Sequence, residues 1–386
     1  MPANSLSISH RDIRLDVIRG IAVLLVIISH LLIPNIAPRD FNDKIFSLLI
    51  VPLKFIRTGG WAGVDLFFVL SGFLVSGLLF KEFKTFGKVN SYRFLIRRGF
   101  KIYPVFYAFL LITFLIDYLL HYSRLPALYD YTNIKDQIWL YLRDGLFISN
   151  YFPGRWSHSW SLDVEELFYL LLTLYFMVLI KLKQLNFTSI MCAWALLFIC
   201  GIVFRAIAYI QHPGFHFGSQ YSKSHFRLDA LLFGVLFSWL YNYQPQKLFF
   251  LKRFKYWAVI ISVAWLLTNF LFARSDNPWI AVVSLGINPI CFGVLLIVAL
   301  NSSATFLQNK MLAYIGRISY AVYLWHVFTN MCFITWLPAI GTGKMYWIIY
   351  LVGYLSLSVL IGSLFTQMIE VPFLNLRNKY FPSETN

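Results

Sequence analysis

Apolar runs of about twenty residues recur along the chain, separated by short polar breaks, and runs of that length can cross a hydrocarbon layer as helices. They fall at roughly 14–34, 59–80, 100–120, 160–180, 190–211, 226–242, 256–273, 279–300, 313–337 and 345–368. The pattern predicts an all-α fold, a polytopic transmembrane bundle of about ten spans. Residues 1–13 and 369–386 form tails around a membrane domain at 14–368. The first run, RLDVIRGIAVLLVIISHLLI, is the most informative. Arg19 can snorkel to the membrane edge, whereas His30 lies ~16 Å further along the helix axis. An ionisable side chain at that depth faces a bundle interior or a watery cavity, or is a neutral histidine bonding between helices.

Composition agrees. Hydrophobic residues make up 59% of the chain and charged ones 13%, and the mean hydropathy is +0.66. A soluble domain would carry roughly twice that charge fraction. The net charge of +16 suggests a polyanion partner until its positions are read. Arg11 and Arg14, Lys81 through Lys101, Lys181 and Lys183, Lys247 through Lys255, and Arg377 with Lys379 all fall on one side of the predicted topology. That is the positive-inside pattern; it places both termini in the cytoplasm and leaves no case for nucleic acid. Cys192, Cys200, Cys291 and Cys332 sit in apolar runs without disulfide or metal-ligand spacing, which predicts buried thiols and no metal. No small-residue cleavage site follows the first run in HLLIPNIAPRD, so it is expected to stay attached. Interfacial anchoring accounts for most of Trp61, Trp139, Trp156, Trp160, Trp257, Trp279 and Trp347.

The remaining polar residues sort into two layers. At the cytoplasmic end, YRFLIRRGFKIYP places Arg97, Arg98 and Lys101 at the entrance of the third span, with Pro104 in its first turns. Arg98 and Lys101 share a helix face and could cradle phosphates beside Arg19, helped by the helix N-terminal amides; a plain positive-inside anchor is the alternative. Towards the outer end, antiparallel spans bring His30 and Asp65 to similar depths, where a carboxylate could orient the imidazole. Gly63, Gly72 and Gly77 suit close helix packing. WSLDVEELFYLL opens the fourth span with Asp163, Glu165 and Glu166; adjacent glutamates point about 100° apart, so at most one should face the bundle centre. Arg227 and Asp229 open the sixth span, and Ser319, Tyr323 and His326 form one stripe on the ninth. The layers suit a phosphorylated donor from inside and an acceptor from outside.

In these motifs the chain is similar to the bacterial-type acyltransferase-3 family, integral membrane proteins that O-acetylate extracytoplasmic sugars. The resemblance covers about Arg14 to Arg377. Arg19 and His30 match the family's Arg–ten residues–His signature. GVDLFFVLSGFL, WSLDVEELFYLL, FRLDALLFG, RISYAVYLWH and IEVPF follow in the family's order. One departure is Lys101, where the family usually carries arginine; lysine keeps the charge but loses the bidentate fork. The stretch resembles the stand-alone type, without a hydrolase-like domain.

The resemblance implies a multi-pass protein of the cytoplasmic (inner) membrane. It implies acetyl-CoA or another acyl-CoA as donor substrate, no permanently bound cofactor, and a carbohydrate acceptor such as cell-envelope peptidoglycan, capsule or lipopolysaccharide O-antigen. Arg19, Arg98 and Lys101 would hold the donor's phosphates. His30 would be general base or transient acyl carrier, with Asp65 or Glu165 orienting it. Trp160, Arg227, Asp229, Ser319, Tyr323 and His326 would meet the acceptor, Tyr323 or Ser319 stabilising the oxyanion. The rival is a proton-coupled transporter or flippase of a lipid-linked sugar, since buried histidine and carboxylates also build proton relays.

Overall fold

A computed structural model describes residues 12–31, 44–122, 133–214, 216–248, 253–272, 278–336 and 344–383. Arg11 and the other residues before Asp12, HLLIPNIAPRD beyond Leu31, and the Trp279 side chain lie outside the described residues.

Among the described residues the regular structure is helical. The elements are α1 Ile13–Ser29, α2 Lys44–Gly59, α3 Gly63–Phe86, α4 Ser91–Tyr122, α5 Ile134–Gly145, α6 Trp160–Lys181 and α7 Phe187–Gln211. They continue as α8 Leu228–Tyr243, α9 Lys255–Leu271, α10 Pro278–Leu300, α11 Lys310–Arg317, α12 Ser319–Trp336, α13 Lys344–Phe365 and α14 Val371–Tyr380. Five described stretches are long and apolar enough to cross a membrane on composition alone: Val51–Phe86, Ser91–Leu120, Phe187–Gln211, Val282–Leu300 and Tyr346–Tyr380. The chain is a multi-pass membrane protein. α1 and α8 have 17 and 16 residues, and α6 and α12 carry the polar groups of the site. Together with α3 these four helices contribute much of the buried core.

Close crossings hold that centre together. Gly72 of α3 packs on the Leu231 carbonyl, and Gly234 of α8 packs back on the Val69 carbonyl. Without Cβ atoms the two backbones approach closely, the small-residue packing expected of membrane helices. α11 crosses α1 in the same way through Gly20 and Gly316. The Asp65 carboxylate of α3 pairs with Arg227 and accepts from Asn288 Nδ2 (3.0 Å), all three fully buried. Asp229 faces Arg205 at 3.5 Å. Removing one partner of such a buried pair typically costs about 3–5 kcal/mol.

Several sequence expectations need correction. α4 starts at Ser91, so Pro104 lies in its interior and Arg98 and Lys101 lie turns past its start. The first turn of α4 therefore does not supply free amides to their cradle. The 313–337 span breaks at Ile318 into α11 and α12. The outer helices α2 and α5 were not foreseen, because Pro52, Lys54 and Arg57 interrupt the apolar pattern of α2 and α5 is amphipathic. Among the cysteines, all free, only Cys291 is buried. Trp61, Trp156, Trp160 and Trp347 are buried rather than interfacial, whereas Trp139 and Trp257 are exposed.

Candidate active site

His30 caps the C-terminal end of α1. α1 ends at Ser29 because both Ser29 Oγ (2.7 Å) and His30 Nδ1 (2.9 Å) bond the Val26 carbonyl, competing with continuation of the helix. A carbonyl only accepts, so a neutral His30 donates from Nδ1 and leaves Nε2 basic. Two further imidazoles join it. The His326 ring stands edge-on to His30 at 4.8 Å and to His158 at 5.2 Å. His326 Nδ1 lies 2.5 Å from the Tyr323 carbonyl, and His158 Nε2 lies 3.0 Å from the Leu324 carbonyl. Their other nitrogens, Nε2 of His326 and Nδ1 of His158, are buried without a hydrogen-bond partner among the described residues. Each ring is thus pinned by one nitrogen and offers the other as an acceptor.

His158 was not singled out from the sequence. It sits in the turn before α6, and the only signal was its place two residues before Trp160 in WSHSWSL. Three carboxylates secure the segment that presents it. Asp144 accepts from Arg155 N (2.8 Å), Trp156 N (3.0 Å) and Ser159 Oγ (2.7 Å). Asp117 pairs with Arg155 (2.7 Å), and Asp163 accepts from Asn150 N (2.8 Å) and Ser149 Oγ (2.6 Å). Burial raises the Asp144 carboxyl to about 6. Burial, and then the neighbouring His30, pushes His158 down to about 3, so it stays neutral near pH 7.

His30 and His158 line an outer cavity of about 400 Å³ with Trp61, Trp160, Phe217, Tyr221, Tyr323 and Arg57. Trp160 and Tyr221 lie 4.7 Å apart as an aromatic wall. Arg227 backs this wall, its guanidinium 4.8 Å from the Tyr221 ring and 5.7 Å from the Trp160 ring. Tyr323 OH donates to the His158 carbonyl (2.7 Å) and shares a 2.7 Å hydrogen bond with Ser161 Oγ.

A second cavity of about 120 Å³ lies below, lined by Arg19, Ser71, Arg98, Lys101, Glu165, Tyr169 and Tyr320 among others. It adjoins a basic cleft of about 110 Å³ that shares Arg98 and Lys101 and adds Arg93, Arg97 and Arg377. The Arg98 guanidinium sits 5.2 Å over the Tyr169 ring. The two chambers come within one turn of each other. Tyr320 of α12 lines the lower and Tyr323 the upper, an axial separation of ~4.5 Å. Phe67, in the lower lining, packs edge-on against Tyr323 at 6.3 Å.

The expected residues divide accordingly. Arg19, Arg98, Lys101 and Glu165 meet at the lower chamber, and His30, Trp160 and Tyr323 at the upper, with His326 behind His30. Asp65 does not orient His30, because Arg227 and Asn288 hold its carboxylate. Glu165 does not reach His30 either; it accepts from Tyr169 OH (2.8 Å) among the basic residues. Glu166 does not turn outward to solvent; it accepts from Tyr103 OH (2.9 Å). Arg227 and Asp229 are consumed by ion pairs, and Ser319 is buried outside both linings. Lys101 is paired with Glu370, which a π-helical turn at Thr366–Glu370 swings toward it.

The family described as "Acyltransferase domain" matches residues 12–366. Relatives include a Staphylococcus aureus (strain MRSA252) protein named for O-acetyltransferase activity, 28% identical over 95% of this chain and 59% of its own length. The O-acetyltransferase OatA of S. aureus strain NCTC 8325 / PS 47 is 28% identical over 95% of this chain and 57% of its own. The chain thus spans under two thirds of the relatives it matches. No solved structure matches it.

Proposed function

The chain belongs to the acyltransferase-3 family, and from that premise we propose that it is a membrane O-acetyltransferase. It moves an acyl group, acetyl by our reading, from cytoplasmic acyl-CoA to a hydroxyl of an extracytoplasmic carbohydrate in the cytoplasmic membrane of a bacterium. The observation that carries this is the approach, within one helical turn, of a basic chamber and a histidine-lined chamber. Arg98 and Arg19, with the arginines of the adjoining cleft, take the donor's phosphates, for which bidentate charge-assisted bonds suit guanidinium. Lys101 contributes less, since Glu370 already balances it. The donor's thioester reaches past Phe67 and Tyr323 toward His30.

The acceptor sugar stacks on the Trp160–Tyr221 wall and presents a hydroxyl to His30 Nε2. The imidazole takes the hydroxyl proton as the oxygen attacks the thioester carbonyl. The C–S bond then breaks, and the imidazolium returns the proton to the departing thiolate. The Val26 carbonyl keeps Nδ1 protonated throughout, so it fixes the tautomer in place of a carboxylate. His326 and His158 pack the ring in position.

The test is His30→Ala in purified protein supplied with labelled acetyl-CoA and cell-envelope glycans, with the products read by mass spectrometry. We expect acetyl transfer to vanish while the protein still inserts and purifies normally. Near-normal transfer by the variant would remove His30 from the chemistry.

A further inference from the structure

Arg57 has no place in the steps above, yet it lines the outer cavity beside His30. It also lines an adjoining cavity of about 420 Å³ with Ser29, Lys54 and Thr58. Arg57 and Lys54 are three residues apart on α2, so they share a face, and that face borders the cavity mouth. Arg57 is half-buried, and it makes no hydrogen bond or ion pair with any described residue. The other deeply placed arginines nearby are neutralised: Arg155 by Asp117, Arg205 by Asp229, and Arg227 by Asp65. Among the described residues neither cavity lining contains a carboxylate. Arg57 is therefore the one permanent charge in the described lining of the histidine chamber.

A neutral sugar gives a guanidinium only weak hydroxyl contacts, whereas a carboxylate or phosphate gives two parallel charge-assisted bonds. A cavity wall of one sign also concentrates ligands of the opposite sign at its mouth. Resting on the acyltransferase reading above, we propose that the acceptor is an acidic carbohydrate, and that Arg57 binds its carboxylate or phosphate while the aromatic wall holds the ring. Arg57 would then set acceptor specificity without touching the reacting atoms.

Trp61 and Trp160 in the same lining supply an optical readout. The purified full chain is titrated with glucuronic acid, glucose 6-phosphate and glucose while tryptophan fluorescence is followed. We expect at least one of the two acids to bind on the order of tenfold more tightly than glucose. The acid that binds more tightly identifies the anion as carboxylate or phosphate. Arg57→Gln should weaken the acids down to the level of glucose and leave glucose binding unchanged. Arg57→Lys should recover part of the difference, and added salt should erode it. Equal binding of all three sugars, a preference that survives in Arg57→Gln, or no saturable quenching at millimolar sugar overturns the proposal. Failure of the acyltransferase reading would register separately, as absence of acetyl-CoA binding by the unsubstituted protein.

Discussion

At the residue scale, what matters is which partner each charge has already taken. Among the described residues Arg98 makes no bond to a carboxylate and rests on Tyr169, whereas Lys101 is bonded to Glu370. Arg98→Ala should therefore weaken CoA binding by the ~1.5–3 kcal/mol typical of a charge-assisted contact, on the order of ten- to a hundredfold. Lys101→Ala should cost clearly less. Calorimetric titration with CoA checks the order, and a larger loss at Lys101 would show that Glu370 positions the lysine for the donor. A second residue-scale prediction concerns acid. His158 is held at about 3, against an ordinary value near 6.5. Between those values the folded protein binds fewer protons than the unfolded chain, so stability is full above about pH 6.5 and falls as pH drops. Asp144, raised to about 6, opposes this between about pH 6 and 4, because the folded form takes up its proton first. The histidine's own contribution is therefore lost with acid over the wider window. Thermal unfolding followed against pH should show His158→Asn losing less stability below about pH 6.5 than the unsubstituted protein, and equally steep profiles would assign no such contribution to His158. Arg19, His30 and Arg98 were legible in the sequence, since depth and charge alone mark them. The partners of Asp65 and Glu165 were not, because rotation about a helix axis decides whether a carboxylate meets His30 or an arginine.

At the scale of elements, the spans announce themselves through hydropathy, while their interruptions carry the site. The capped end of α1 at His30 and the α11–α12 break at Ile318 lie inside stretches that read as continuous apolar runs, and the π-helical turn at Thr366–Glu370 straddles the end of another. Hydropathy averages over such breaks, so polar side chains that compete for backbone bonds have to be found in the structure. The glycines of α3 were legible as packing positions, and they are unequal. A Cβ at Gly72 would overlap the Leu231 carbonyl, a backbone atom that cannot swing away, whereas one at Gly77 would meet Ser238 Oγ at 3.2 Å. Gly72→Ala should therefore cost about 1–3 kcal/mol through overpacking, while Gly77→Ala should be nearly neutral. Unfolding temperatures of the two variants in the same detergent provide the comparison. Equal values would mean that the α3–α8 crossing relaxes freely.

For the whole molecule, the order of the motifs along the chain and the separation of basic from histidine-bearing ends follow from sequence. The meeting of the two chambers does not, because it depends on where α12 starts and how α3 and α6 lean against it. That meeting bears on the choice between one chemical step and two. With Tyr320 and Tyr323 one turn apart, a donor in the lower chamber and an acceptor in the upper can occupy the protein together, as direct attack requires. An acyl-enzyme route would instead load His30 and release CoA before any acceptor arrived. The acyl-imidazole would then face the open outer cavity, where water would compete with the sugar. Direct transfer is therefore the expected course. Purified protein incubated with labelled acetyl-CoA and no acceptor should release CoA only slowly and retain no label. A burst of CoA equal to the amount of protein, with label held on His30, would establish the two-step route.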